Sequence, residues 1–184
     1  MARRLRRGPF SGSRRSASRS GQPAAMVASP LRRWHRSATS GCLSPHARFL
    51  LSPWTDLTLS GASMTEKVGI DPSFVPEKVQ IRANDYVASA DPANPAISPL
   101  FADLRGPPPT LIQAGSNEIL LDDSARLAAR AASDDVAVIL DVTPGVPHLF
   151  QSFAAMVEEG DQALDRVTAF LSTHLGATGA RLDR

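Results

Sequence analysis

The chain has 184 residues and a formal net charge of +2, long enough for one domain with its own hydrophobic core. No run approaches the roughly 18 apolar residues of a membrane span, and the single cysteine, Cys42, excludes an internal disulfide framework. The charge is unevenly placed: residues 1–48 hold eleven Arg and no Lys, Asp or Glu, against nine basic and eighteen acidic residues in the remainder. The sequence pI of 9.2 therefore belongs to the N-terminal segment, and reading the whole chain as a nucleic-acid binder would be an error of averaging.

Residues 1–48 are rich in Arg, Ser, Pro and Gly. Isolated hydrophobes such as Leu5, Phe10, Val27, Leu31 and Trp34 follow neither a period of two nor one of 3.6, so a disordered basic tail is expected. Three readings fit: an aberrant segment such as a GC-rich frame shift produces, an organellar transit peptide, or a basic arm for nucleic acid. The first is favoured; scarce base-stacking aromatics count against the third, and a secretory signal is not expected because no apolar core follows the arginines. A cytoplasmic location is expected on that reading, and a targeted one on the second.

The texture changes at Phe49. Phe49–Trp54 reads as a short buried strand closed by Pro53. Residues 55–75 are polar and irregular, and Pro76 opens a predicted helix over Glu77–Tyr86. A long loop follows, punctuated by Asp91-Pro92 and Asn94-Pro95 and anchored by Ser98–Phe101. Thr110–Ala114 is a second strand, stopped by Gly115-Ser116. Asp122 and Asp123 suit the start of a helix over Ser124–Ala132, with Leu127, Ala128 and Ala131 on its apolar face. Val136–Val142 is rich in β-branched residues and reads as the third strand, turned by Pro144-Gly145. A last helix over Asp161–Leu175 places Leu164, Val167, Leu171 and Leu175 on one stripe and stops at Gly176. The order calls for an α/β fold: parallel strands joined by right-handed crossovers and flanked by helices, with one apolar sheet edge unpaired.

Glu118 follows the second strand and His148 the third, so both fall on the rim where open parallel sheets carry their sites. An acid accepting from an imidazole N–H fixes the tautomer and orients the ring for proton transfer. Pro147 and Gly145 make the histidine turn stiff. Taken alone, Glu118 would be a solvated strand-end carboxylate; its spacing to His148 overturns that. His35 and His46 lie in the basic tail, and His174 suits the last turn of a helix. Trp54 and Phe150 fit an acyl pocket or the core equally well.

Leu51-Ser52-Pro53-Trp54-Thr55-Asp56, Ala90-Asp91-Pro92, Ser98 to Leu104, Pro108 to Gln113, Glu118 to Asp123 and Gly145-Val146-Pro147-His148 occur in register. Over residues 49–176 the chain resembles the C-terminal half of the hormone-sensitive-lipase-like esterases, which are α/β-hydrolases. The resemblance implies a carboxylic-ester hydrolase of the serine-triad type, an esterase, lipase or lactone hydrolase with small ester or lactone substrates. It implies neither a metal nor an organic cofactor. It aligns Glu118 with the triad acid and makes Asp122 the alternative, a residue better suited to capping the helix. It also marks a partial hydrolase domain over 49–176, with a tail at 177–184.

The nucleophile is missing from this match. No Gly-x-Ser-x-Gly elbow and no His-Gly-Gly oxyanion loop occur anywhere in the sequence. The expectation is a fragment that retains the acid and histidine and is inactive alone. Two rivals are a non-catalytic half-domain acting through its open sheet edge, as in a homodimer, and a nucleic-acid-binding protein with a basic arm.

Overall fold

The structure is a computed structural model that describes residues 46–179. The expected basic tail lies outside the described residues up to residue 45, as do residues 180–184 of the expected C-terminal tail. Three strands, β1 (Arg48–Leu51), β2 (Thr110–Gly115) and β3 (Val138–Thr143), form one parallel sheet in the order β1-β2-β3. Leu50 lies opposite Ile112, which lies opposite Leu140, and one residue back Phe49, Leu111 and Ile139 share a row on the other face.

That alternation divides the core in two. On one face, Leu50 and Ile112 pack with Leu100, Leu104, Leu127, Ala128, Ala131 and Val136 beneath helix α3 (Leu121–Ser133). On the other, Leu111 packs with Val167 and Phe170 of helix α4 (Glu158–Gly179). β2 is buried along its whole length, as expected for a central parallel strand covered on both faces. A third cluster, Met64, Val79, Ile119 and Leu120, joins the helices α1 (Ser63–Glu66) and α2 (Pro76–Val87) to the start of α3.

Several expectations are adjusted. Strand β1 begins at Arg48, one residue early, and the stretch expected to be irregular contains the single turn α1. Helix α2 has Pro76 in its first turn, as read from the sequence. Helix α3 starts at Leu121, three residues early.

Helix α4 buries Ala163, Val167 and Phe170, while Leu164 and Leu175 are exposed. The small Ala163 lets its carbonyl come within 2.9 Å of Gln113 Nε2, and that close approach sets the buried face. The helix also runs past Gly176, because an interior glycine costs only about 1 kcal/mol. β3 has the strongest strand composition and is yet largely exposed, with Ile139, Leu140 and Val142 open to solvent. Among the described residues both β1 and β3 are edges, where the sequence suggested one. No described helix is long and apolar enough to cross a membrane.

The long segment after β1 is fastened to α3 by Asp123. Its Oδ2 accepts the backbone N–H of Thr55 at 2.6 Å and of Asp56 at 2.8 Å. Burial pushes the Asp123 carboxyl up to about 7, against the pull of those backbone donors and of Arg126, with the nearby Asp56 carboxylate adding to the rise. Asp56 behaves oppositely: burial raises it, but hydrogen bonds from Ser60, Thr58 and Arg126 prevail and hold it below its ordinary value. The folded chain keeps the Asp123 proton to higher pH than the unfolded chain does. Its stabilisation is therefore whole below about pH 4 and is lost as pH rises towards 7. Urea unfolding between pH 4.5 and 7.5 should show the wild type losing stability relative to Asp123→Asn, by up to about 1.4 kcal/mol per pH unit. A pH-independent difference would contradict this.

Candidate active site

Two loops at the carboxyl ends of β2 and β3 form the site. The first turns sharply after Gly115, and its N–H at Asn117 donates to the carbonyl of Val146 in the second at 3.1 Å. Ser116 donates its N–H to Thr143 O, and its hydroxyl accepts the N–H of Gly145 at 2.8 Å. Gly145 has φ 75°, a value that suits glycine and closes the Pro144-Gly145 turn. The loops touch most closely at Gly115. A Cβ there would lie 2.6 Å from the Pro147 carbonyl oxygen and nearer still to that of Val146.

This contact brings Glu118 and His148 together. Glu118 is fully buried and the His148 side chain is 11% exposed, with Oε2 and Nδ1 2.7 Å apart. The other carboxylate oxygen, Oε1, accepts the N–H of Gly115 at 3.0 Å. A carboxylate has no hydrogen to give, so Nδ1 is the donor of this bond and Nε2 is the ring nitrogen left facing away from Glu118. Among the described residues nothing is hydrogen-bonded to Nε2. Beyond the histidine, Leu149 adopts a left-handed conformation with φ 53° and donates its N–H to Ser52 Oγ at 3.1 Å. Ser52, at the end of β1, is itself at φ 42°. Left-handed non-glycine residues of this kind gather at functional sites, where the surrounding structure holds them.

The alternative acid, Asp122, is committed elsewhere. Its Oδ2 accepts the N–H of Ser63, whose hydroxyl accepts the N–H of Asp122. It does not cap its own helix, as the sequence suggested, but sits at the start of α1; the first turn of α3 is capped instead by the Ser63 hydroxyl, since its N-cap residue Leu120 offers no side-chain bond. His174 is not in a last turn, because α4 continues to Gly179, and its Nδ1 lies 2.8 Å from Phe170 O. His46 is exposed, and His35 lies outside the described residues. Phe150 is core, packed with Val146 and Ala163. Trp54 packs against the cluster around Ile119 and donates its indole N–H to Asp56 O. Among the described residues, no three His, Cys, Asp or Glu side chains are gathered so as to hold a metal ion.

A family described as alpha/beta hydrolase fold matches residues 21–152. The chain belongs to this family. The match reaches back into the Arg/Ser-rich segment, beyond the boundary drawn from composition. An esterase of Acinetobacter venetianus is 39% identical over 132 residues, 71% of this chain and 44% of that protein. An acetyl-hydrolase of Streptomyces hygroscopicus is 34% identical over 137 residues, 74% of this chain and 46% of that one.

Among solved structures, an esterase from the bacterial hormone-sensitive lipase family aligns with a TM-score of 0.77 at 37% identity. That alignment covers 82% of this chain and 50% of the other. The expected resemblance and the α/β fold class are borne out. The chain spans less than half the length of these curated relatives.

Sequence reasoning found the pair and missed what holds it. Ser52 bonds the residue after the histidine, Gly115 bonds Glu118, and Phe74 makes an edge contact with the His148 ring. The one local signal was the Asp71-Pro72-Ser73-Phe74 run, a pattern in which Asp bonds the backbone two residues on. In Glu118→Gln an amide would face Nδ1 in place of a carboxylate oxygen. The His148 proton should then move to Nε2, with the tautomer read from imidazole 15N shifts. Gly115→Ala should spread the loops and destabilise the chain, by about 1–3 kcal/mol on unfolding if Glu118 Oε1 loses its buried donor. Unaltered stability and an unaltered Glu118–His148 signal would contradict the close-approach account.

Proposed function

We propose that this chain carries the acid and the histidine of a serine-type carboxylic-ester hydrolase, with small-molecule esters or lactones as the substrate class. The observation that supports it most is the 2.7 Å contact between buried Glu118 and His148 on the rim of a parallel sheet. Glu118 fixes the imidazole and stabilises its charged form, while Nε2 is free to take a proton from an attacking hydroxyl and return it to the leaving group. The relatives named esterase and acetyl-hydrolase favour the same chemistry. The sequence contains no Gly-x-Ser-x-Gly elbow, so the nucleophile is supplied from outside these 184 residues and the chain by itself is inactive.

Purified chain should give no p-nitrophenyl ester turnover above that of His148→Ala; turnover abolished by that substitution would overturn the inactivity. The chemistry is tested by replacing the matched 132-residue segment of the Acinetobacter venetianus esterase with that of this chain. The chimera should hydrolyse esters and lose at least about 10³-fold in rate with His148→Ala, as removal of a triad member does. An active chimera indifferent to His148→Ala would sink the assignment. A second reading, a half-domain that pairs through its sheet edge, is favoured by the exposed Phe49 on β1 and by β3. Light scattering decides it, because a well-folded monomer removes that reading.

A further inference from the structure

Asp71 lies outside the Glu118–His148 pair, yet its carboxylate reaches the supports of both. It is buried at 6% exposure. Its Oδ1 accepts the N–H of Ser73 at 2.7 Å and of Phe74 at 3.1 Å, closing a tight turn. Its Oδ2 accepts the N–H of Ile119 at 2.8 Å, on the residue next to Glu118. The turn delivers Phe74 to the histidine: the two ring centroids are 4.7 Å apart and the planes are inclined at 67°, an edge contact. Phe74 also packs against the cluster of Met64, Val79, Ile119 and Leu120, which fixes it from behind.

An aspartate that merely shaped a surface turn would need only its first oxygen and would remain in water. Burying this one against a residue 48 positions away is unfavourable unless the second oxygen is also satisfied, and the donor that satisfies it belongs to the acid loop. One carboxylate thus joins the loop of the acid to the turn of the aromatic ring. The imidazole touches both, hydrogen-bonded to Glu118 and in edge contact with Phe74.

We propose that Asp71 is a positioning residue for His148, acting through Phe74 and Ile119 to hold the imidazole in its hydrogen bond with Glu118. The inference rests on the reading of that pair given under Proposed function, and it names a further part of the same site. A residue needed only for folding would stabilise the chain without changing how long the His148 Nδ1–H bond persists.

The test is proton and 15N NMR of the full chain, following the low-field Nδ1–H signal of His148 and the exchange of the Ile119 amide. Asp71→Asn replaces one acceptor oxygen with a donor, and Phe74→Leu keeps an apolar side chain without the ring. Both should broaden or shift the His148 signal and speed its exchange at least tenfold. Ile119 exchange should rise at least tenfold in Asp71→Asn alone. If Asp71→Asn does not fold, Phe74→Leu decides alone. A His148 signal unchanged in the folded variants overturns the positioning role and leaves the pair intact. A wild type with no such signal, indistinguishable from Glu118→Gln, removes the pair itself and the inference with it.

Discussion

Glu118 is a carboxylate with no exposure to water, and the rest of the rim is arranged around satisfying it. A buried charge is tolerated only when its oxygens are given donors. One donor is the N–H of Gly115, three residues back, which obliges the chain to turn tightly at the end of β2. The other is His148 Nδ1, which obliges the loop after β3 to come down onto that turn. Only a residue without a Cβ fits where they meet. The left-handed Leu149 and its bond to Ser52 then return the chain to β1, so all three strand ends are tied into one unit.

The same loop is secured from below by a polar network within the core. Gln113 of β2 donates to Asp141 of β3 and to the carbonyl of Ala163 in α4, and it accepts from Gln151, three residues after the histidine. Arg166 of α4 completes the group by donating to Asp141 at 2.7 Å. A central strand buried on both faces has little room for such groups, and each one present is hydrogen-bonded to a different element. The network gives the sheet, α4 and the turn at Phe150 a common anchor. The histidine loop is thereby fixed at both ends.

The strands, the main helices and the Glu118–His148 pairing were legible because they depend on local order and spacing. Pro76, the β-branched run after Val136 and the Gly-Val-Pro-His turn each carry their meaning within a few residues. The face of α4 was legible only in part: Val167 and Leu171 pack against the sheet as expected, but Leu164 and Leu175 do not. The remainder depends on the approach of Ala163 to Gln113, a contact spanning 50 residues, which the spacing of the leucines does not report. Asp122 was assigned to its own helix by proximity, while its partner is Ser63, 59 residues away. Asp71 and Phe74 stood in a stretch with no periodicity, where a polar residue looks solvated until the fold brings a buried donor to it. The exposure of β3 was not legible, because composition reports the propensity to be a strand and not what covers it.

The polar stretch between β1 and β2 separates paired residues by 62 positions, against 28 across the crossover from β2 to β3. Closing the longer loop costs only about 0.7 kcal/mol more in chain entropy. Length in that stretch is therefore inexpensive in chain entropy, and residues can be added or removed at positions away from Asp56 and the Leu100–Leu104 packing with the sheet undisturbed. The turn between Gly115 and Glu118 has no such latitude, since one extra residue would carry the carboxylate away from both of its donors. Variation in length among proteins built on this plan should accordingly collect between β1 and β2, outside the turn that holds Asp71 and Phe74, while the turn from Gly115 to Glu118 keeps its length.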